Sequence, residues 1–320
     1  MRAFRLVEPR KFELVELPDP VIGDGQALVR LRETAVCGSD MLSYLGTLPT
    51  TRYPLNVGDP CHECVGDIIE SKLDGYRPGD RVMFFPPGTG GLAELGVAPS
   101  AERVLHLPEG NLTELLVGQL LGTVIHAARE LGDVMSARVA VVGQGPAGQL
   151  FSHLMWNLGA RMIIAIDKVP ERVAVSPRMR ATHALQVGRD DVVERVKELT
   201  SGRGADVVIE AAGYDETIDL MVELVRRHGK MLLFGAAKHL RVSYPVRTMM
   251  GKRASLFTAA GPDIELDTRQ ALDYIADGRI DVKPILTHRI PFERAPEAYE
   301  LFAERKDGCI KVILDYGTRR

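Results

Sequence analysis

Cysteine, histidine, glutamate and cysteine stand side by side in VGDPCHECVGD, residues 57–67. Thiolate, imidazole and carboxylate are the donors zinc takes, at bond lengths of about 2.0–2.3 Å. The same run is a C-x-x-C, which elsewhere is a redox pair or half of a zinc ribbon. A thioredoxin-like pair wants a helix amino terminus after a βαβ strand, whereas Cys61 and Cys64 precede the strand-like VGDIIE. A ribbon wants a second C-x-x-C, and the sequence has none. The plain expectation for the two cysteines is a loop thiol and a thiol buried in a strand. Upstream, TAVCGSD (34–40) adds Cys37, Ser39 and Asp40: a further thiol, a hydroxyl and a carboxylate.

A second constellation is Gly143-Gln144-Gly145-Pro146-Ala147-Gly148, a G-x-G-x-x-G that follows the strand-like VAVV. Glycines here permit a tight turn and let the backbone approach a pyrophosphate at a helix amino terminus. The following segment places Ala147, Leu150, Phe151, Leu154, Met155 and Leu158 on one helical face, and Gly159 is placed to end it. The next strand finishes in Asp167, whose carboxylate can accept hydrogen bonds from the adenosine ribose. That acid would repel a 2′-phosphate, so NAD is expected over NADP, although Lys168 and Arg172 lie nearby. Strand, helix, second strand and acidic tip together predict dinucleotide binding.

These residues need elements to hold them. The chain has 320 residues, which favours two domains. Apolar residues are 45% and charged residues 26%, as in an ordinary globular protein. A net charge of −3 gives no reason to expect nucleic acid or an anionic membrane as partner. MRAFRLVEPRKFELVEL is charged throughout and lacks the apolar region of a signal peptide, and no run of about 18 apolar residues occurs. Four cysteines fit a reducing cytoplasm better than a disulfide framework. Short β-like runs broken by Pro and Gly fill the first ~115 residues and predict a mostly antiparallel β domain. Strands and helices then alternate (RVAVVG, MIIAIDK, DVVIEAAG, KMLLFGA, SLFTAAG), which predicts a doubly wound parallel sheet. The fold class expected is α/β.

The order of these parts resembles the medium-chain dehydrogenase family, which includes zinc-type alcohol, polyol and threonine dehydrogenases. TAVCGSD, CHECVGDIIES, YRPGDRV, GGLAELGVAP, DVVIEAAG and DGCIKVIL carry the likeness, in order and over nearly the whole chain. The resemblance implies a GroES-like catalytic domain from residues 1–121 and 262–320 and a Rossmann cofactor domain from 122–261. Substrate and nicotinamide would meet between them. It implies a catalytic zinc at Cys37, His62 and Glu63, with Glu63 either ligand or supporting group. Ser39 would relay the alcohol proton, Asp40 would orient His62, and Lys311 would lie near the cofactor pyrophosphate. Gly235 and Ala236, at the end of KMLLFGA, join the expected cofactor residues.

Three departures from the family are visible. The lobe that carries four cysteines around a structural zinc is replaced by FFPPGTGGLAEL, so a single zinc is expected. Gly58 is followed by Asp59-Pro60-Cys61, where the family usually has glycine directly before the histidine. Gln119 falls where a cysteine or carboxylate normally completes the metal site. The reading is a zinc-dependent, NAD-linked oxidoreductase acting on a secondary alcohol of polyol, sugar or cyclitol type, homo-oligomeric and cytoplasmic. Two alternatives stand beside it: a zinc-less NAD(P)H-dependent enone or quinone reductase of the same fold, and a non-catalytic sensor of the NAD redox state.

Overall fold

The computed structural model describes residues 1–236, 241, 243–259 and 261–317. In chain order its elements begin with β1 (Arg2–Glu8), β2 (Lys11–Glu16), β3 (Ala27–Ala35), α1 (Asp40–Tyr44) and β4 (Glu63–Ser71). Next come β5 (Arg81–Phe84), β6 (Leu95–Ala98), β7 (Val104–His106), α2 (Leu112–Leu116) and α3 (Gly118–Leu131). The alternating part runs β8 (Arg138–Val142), α4 (Pro146–Asn157), β9 (Met162–Asp167), α5 (Pro170–Val175), β10 (His183–Gln186) and α6 (Val192–Leu199). It continues with β11 (Ala205–Glu210), α7 (Asp215–Leu224), β12 (Val225–Leu233), α8 (Val246–Lys252) and β13 (Ser255–Thr258). The chain closes with α9 (Arg269–Ala276), β14 (Leu286–Pro291), α10 (Ala295–Glu304) and β15 (Lys311–Asp315).

Two compact units result. One holds Met1–Leu120, Ile264–Asp277 and Leu286–Arg320; the other holds Leu121–Asp263 and Gly278–Ile285. The return of residues 278–285 to the second unit corrects the expected division, which gave 262–320 wholly to the first. Ile280, Val282 and Ile285 are buried, and the Asn157 side-chain amide on α4 donates to the Arg279 carbonyl at 2.8 Å.

In the first unit the strand order is β14-β15-β3-β4-β5-β7, with β6 also pairing β3. All pairs are antiparallel except β14 with β15. Leu6, Val29, Leu31, Ile68, Val82, Phe84 and Leu314 form its core, with α10 adding Tyr299 and Phe302. β14, LTHRIP, was not expected from the sequence; its alternation is broken by charged and polar residues on an exposed edge.

In the second unit six parallel strands run in the order β10-β9-β8-β11-β12-β13. This is the Rossmann order, whose direction reverses between β8 and β11. β8, RVAVV, and β9, MIIAID, are near-continuous apolar runs because helices cover both faces of the sheet. α4 begins on Pro146, whose fixed φ suits the first helical position. Its burial is wider than the expected apolar stripe: Gln149, Ser152 and His153 are buried too, whereas Leu158 caps the helix and is exposed.

Candidate active site

The ends of three neighbouring strands bring the expected metal residues together. Ala35, last residue of β3, pairs with Glu63, first residue of β4, and on its other side with Ile313 of β15. The Val36 N–H then donates to the Val312 carbonyl at 3.0 Å, which carries the chain on to Cys37. As a result the ligand atoms of Cys37, His62 and Glu63 all lie within 4.8 Å of one another. Atoms bound tetrahedrally to one zinc stand about 3.5 Å apart at those bond lengths, so small side-chain movements would close the trio on an ion. Hard and soft donors of this kind suit zinc. Among the described residues this is the group with such geometry.

Asp40 opens α1 and is buried. Its Oδ1 lies 2.9 Å from His62 Nδ1, and its Oδ2 accepts the Cys37 N–H at 2.9 Å. The contact fixes the ring and leaves Nε2 for a metal. Burial works against charge on His62, but Asp40 outweighs it, and the imidazole pKa is well above its ordinary value. Ser39 is exposed and gives α1 no side-chain cap. Gln119 is buried in the first turn of α3.

Lys311 requires a correction. Instead of presenting its amine to a cofactor, it is fully buried and sits astride the Glu63 carboxylate, 2.7 Å from Oε1 and 2.6 Å from Oε2. It also donates to the Val36 carbonyl at 3.2 Å. Burial opposes its charge, yet Glu63, Cys37 and Asp40 hold its pKa above the ordinary lysine value. Removing one member of a buried pair strands the other, so Lys311→Met should lower stability by about 3–5 kcal/mol, read by urea unfolding of metal-free protein. A change near zero would show that Glu63 does not depend on the lysine.

The two cysteines of the C-x-x-C face the core. Cys61 and Cys64 are both completely buried and pack with Val36, Phe84 and Leu92. Cys61 Sγ donates to the Ala35 carbonyl at 3.8 Å, while its backbone accepts from Gly91 and donates to Thr89. Cys64 pairs across the sheet with Thr34 and Phe84. Successive strand residues point to opposite faces, so Cys64 turns inward where Glu63 turns to the metal residues. Burial, with Cys61 beside it, pushes the Cys64 thiol well above its usual pKa and disfavours the thiolate that a metal or redox reaction requires. Cys64→Ala should therefore keep its zinc and lose about 1 kcal/mol of stability, measured by metal content and urea midpoint.

The glycine loop joins β8 to α4. Gly143 has φ +94°, and a Cβ on Gly148 would stand 1.8 Å from the Gly143 carbonyl oxygen, so both positions exclude a side chain. Gly145 differs: a Cβ there would meet only Arg172 Nη1, at 3.6 Å. Among the described residues no other atom comes within 4 Å of that point, which leaves the approach a pyrophosphate would need. Pro146 and Ala147 follow as the first residues of α4. Asp167 is buried at the end of β9; its Oδ2 accepts the Gln144 N–H at 2.6 Å and its Oδ1 accepts the Val169 N–H at 2.8 Å. Lys168 Nζ lies 5.4 Å from the centre of the Tyr214 ring. Gly235 packs against the Gly213 backbone and Glu210, while Ala236 is exposed.

Sequence reasoning missed the polar layer beneath this loop. Buried Gln144 donates to the Val141 carbonyl at 2.9 Å and lies 3.4 Å from Ser152 and 3.3 Å from Ser176. Gln149 donates to the Arg172 carbonyl at 2.8 Å. Polar residues inside the helix stripe were the available signal.

An antiparallel β unit that gathers thiol, imidazole and carboxylate, with a Rossmann unit bearing a glycine loop, defines a zinc-type dehydrogenase architecture. Comparison with known proteins agrees. Residues 23–109 match the model of the alcohol dehydrogenase GroES-like domain, and residues 146–277 match that of the zinc-binding dehydrogenase. An alcohol dehydrogenase of Cupriavidus necator is 28% identical, covering 98% of both chains. Sorbitol dehydrogenase of Bacillus subtilis is 25% identical over 98% of this chain and 97% of its own. The structure of the alcohol dehydrogenase TADH from Thermus sp. ATN1 superposes with a TM-score of 0.86 at 26% identity, covering 98% of this chain and 99% of that one. The chain belongs to the medium-chain dehydrogenase/reductase family and is a zinc-type, alcohol-dehydrogenase-like oxidoreductase.

Proposed function

We propose that the protein oxidises a secondary alcohol of polyol, sugar or cyclitol type, or reduces the matching ketone, with NAD and one zinc per chain. The observation that carries this reading is the convergence of Cys37, His62 and Glu63 within 4.8 Å, with Asp40 fixing the histidine. Bound there, zinc would supply Lewis-acid polarisation of the substrate oxygen. Cys37 and His62 would hold it, with Glu63 shared between metal and Lys311 and Gln119 as a further oxygen donor. Ser39, exposed beside Asp40, would take the substrate proton at Oγ and pass it to water. Gly143, Gly145 and Gly148 would receive the pyrophosphate, and Asp167, whose carboxylate has about four acceptor sites, would add ribose hydroxyls to its two N–H partners. The polyol preference is supported by the sorbitol dehydrogenase relative.

A homo-oligomer in the cytoplasm is the setting this reading expects. Among the described residues no helix is long and apolar enough to cross a membrane. The zinc-less reductase is not favoured, because such a site has no need of a thiolate, imidazole and carboxylate in one place; the same holds for a redox sensor without turnover. Zinc content of the purified protein, measured alongside a screen of polyols and ketones with NAD and NADP, tests the proposal. Turnover of a polyol that falls with zinc content supports it, and enone reduction by metal-free protein would install the alternative.

A further inference from the structure

His62 and Asp40 reach their 2.9 Å contact from two separate segments of chain. α1, which carries Asp40, has five residues, far below the ~12–15 that make an isolated helix stable in water. His62 lies outside any strand, directly after Pro60 and Cys61. Each piece is anchored locally, by the Cys37–Asp40 bond and by the Cys61 bonds to Thr89 and Gly91, and the spacing between them depends also on what packs against both.

One side chain touches both. Tyr299 of α10 is completely buried. Its ring centre lies 5.3 Å from that of Tyr44, the last residue of α1, and 5.0 Å from Phe12 in an edge-on contact. Its hydroxyl donates to the Pro60 carbonyl. The grip on α1 is reinforced next door, where the Tyr44 hydroxyl donates to Glu300 at 3.0 Å. A phenylalanine would fill the same space, so packing alone does not account for the buried hydroxyl; a buried tyrosine O–H is there with a partner to bond. We propose that Tyr299 is a positioning residue of the metal centre, tying α1 to the Pro60 turn and so setting the Asp40–His62 geometry on which zinc affinity depends.

The proposal rests on the reading of Cys37, His62 and Glu63 as a zinc site. Its test is the zinc dissociation constant by competition with a chromogenic chelator, with urea unfolding of the same samples. Tyr299→Phe should bind zinc several-fold more weakly, short of the roughly 10–100-fold that loss of a direct partner of a ligand costs. Phe292→Leu is the packing control: it trims the same core, where Phe292 stacks on Tyr316 at 4.4 Å, without cutting a polar tie to the site. It should unfold at lower urea with unchanged zinc affinity. Wild-type affinity in Tyr299→Phe, or an equal loss in Phe292→Leu, overturns the proposal while leaving the zinc site standing. Wild-type protein that binds no zinc overturns the site and the proposal together. Should Tyr299→Phe not fold, Tyr44→Phe loosens the α1 end of the same strut, and wild-type affinity in that variant counts equally against the idea.

Discussion

Cys37→Ala is expected to purify without stoichiometric zinc and without NAD-dependent turnover. Its Sγ is the one thiol grouped with His62 and Glu63, and the loss of a ligand should exceed the roughly 10–100-fold in affinity that a supporting partner costs. His62→Ala should behave alike, since it removes the imidazole and leaves Asp40 buried without the ring it orients. Both variants should still fold, because Cys37 and His62 are half-buried and stand outside the core. Metal analysis and turnover of Cys37→Ala and Cys64→Ala in parallel decide between ligand sets. If Cys64→Ala empties the site while Cys37→Ala stays loaded, the metal is held by the C-x-x-C and the assignment is wrong.

Asp167→Gly carries the second large effect, and it has two separable parts. The carboxylate accepts two backbone N–H groups, from Gln144 in the glycine loop and Val169 after β9. Hydrogen bonds to a charged group are worth about 1.5–3 kcal/mol each, so the variant should be measurably less stable. The same substitution removes the like charge that a 2′-phosphate would face beside the ribose. The ratio of NADP to NAD dissociation constants should fall by about tenfold or more, equivalent to about 1.4 kcal/mol. Titration of both cofactors against wild type and variant reads this directly. Equal affinity of the wild type for NAD and NADP would contradict the role given to the acid.

Local patterns carried much of this structure. The parallel sheet was legible because β8, β9 and β11 are apolar runs spaced by helical segments, and the glycine loop announced where β8 turns into α4. Cys37, His62 and Glu63 were legible as donor types in two short motifs, and the β3–β4 register explains why the motifs meet. What escaped depends on distance along the chain. Glu63 and Lys311 are 248 positions apart, and no local signal says that a lysine opening the last strand will be buried against that carboxylate. Residues 278–285 rejoin the second unit through Ile280, Val282 and Ile285, too few apolar residues to read as an element beforehand. The polar layer of Gln144, Gln149, Ser152 and Ser176 was hidden because polar residues on a helix are ordinarily read as its wet face, whereas here Gln144 meets both serines and Gln149 donates to the Arg172 carbonyl beneath the loop.

The central claim is that chemistry depends on a metal held by Cys37, His62 and Glu63, and zinc titration of metal-stripped protein tests it most directly. The account predicts that turnover of a polyol substrate with NAD is lost on stripping and returns in proportion to added zinc, reaching its maximum at about one zinc per chain, the number a single tetrahedral site holds. Full turnover in the stripped protein, with no response to zinc, would contradict it.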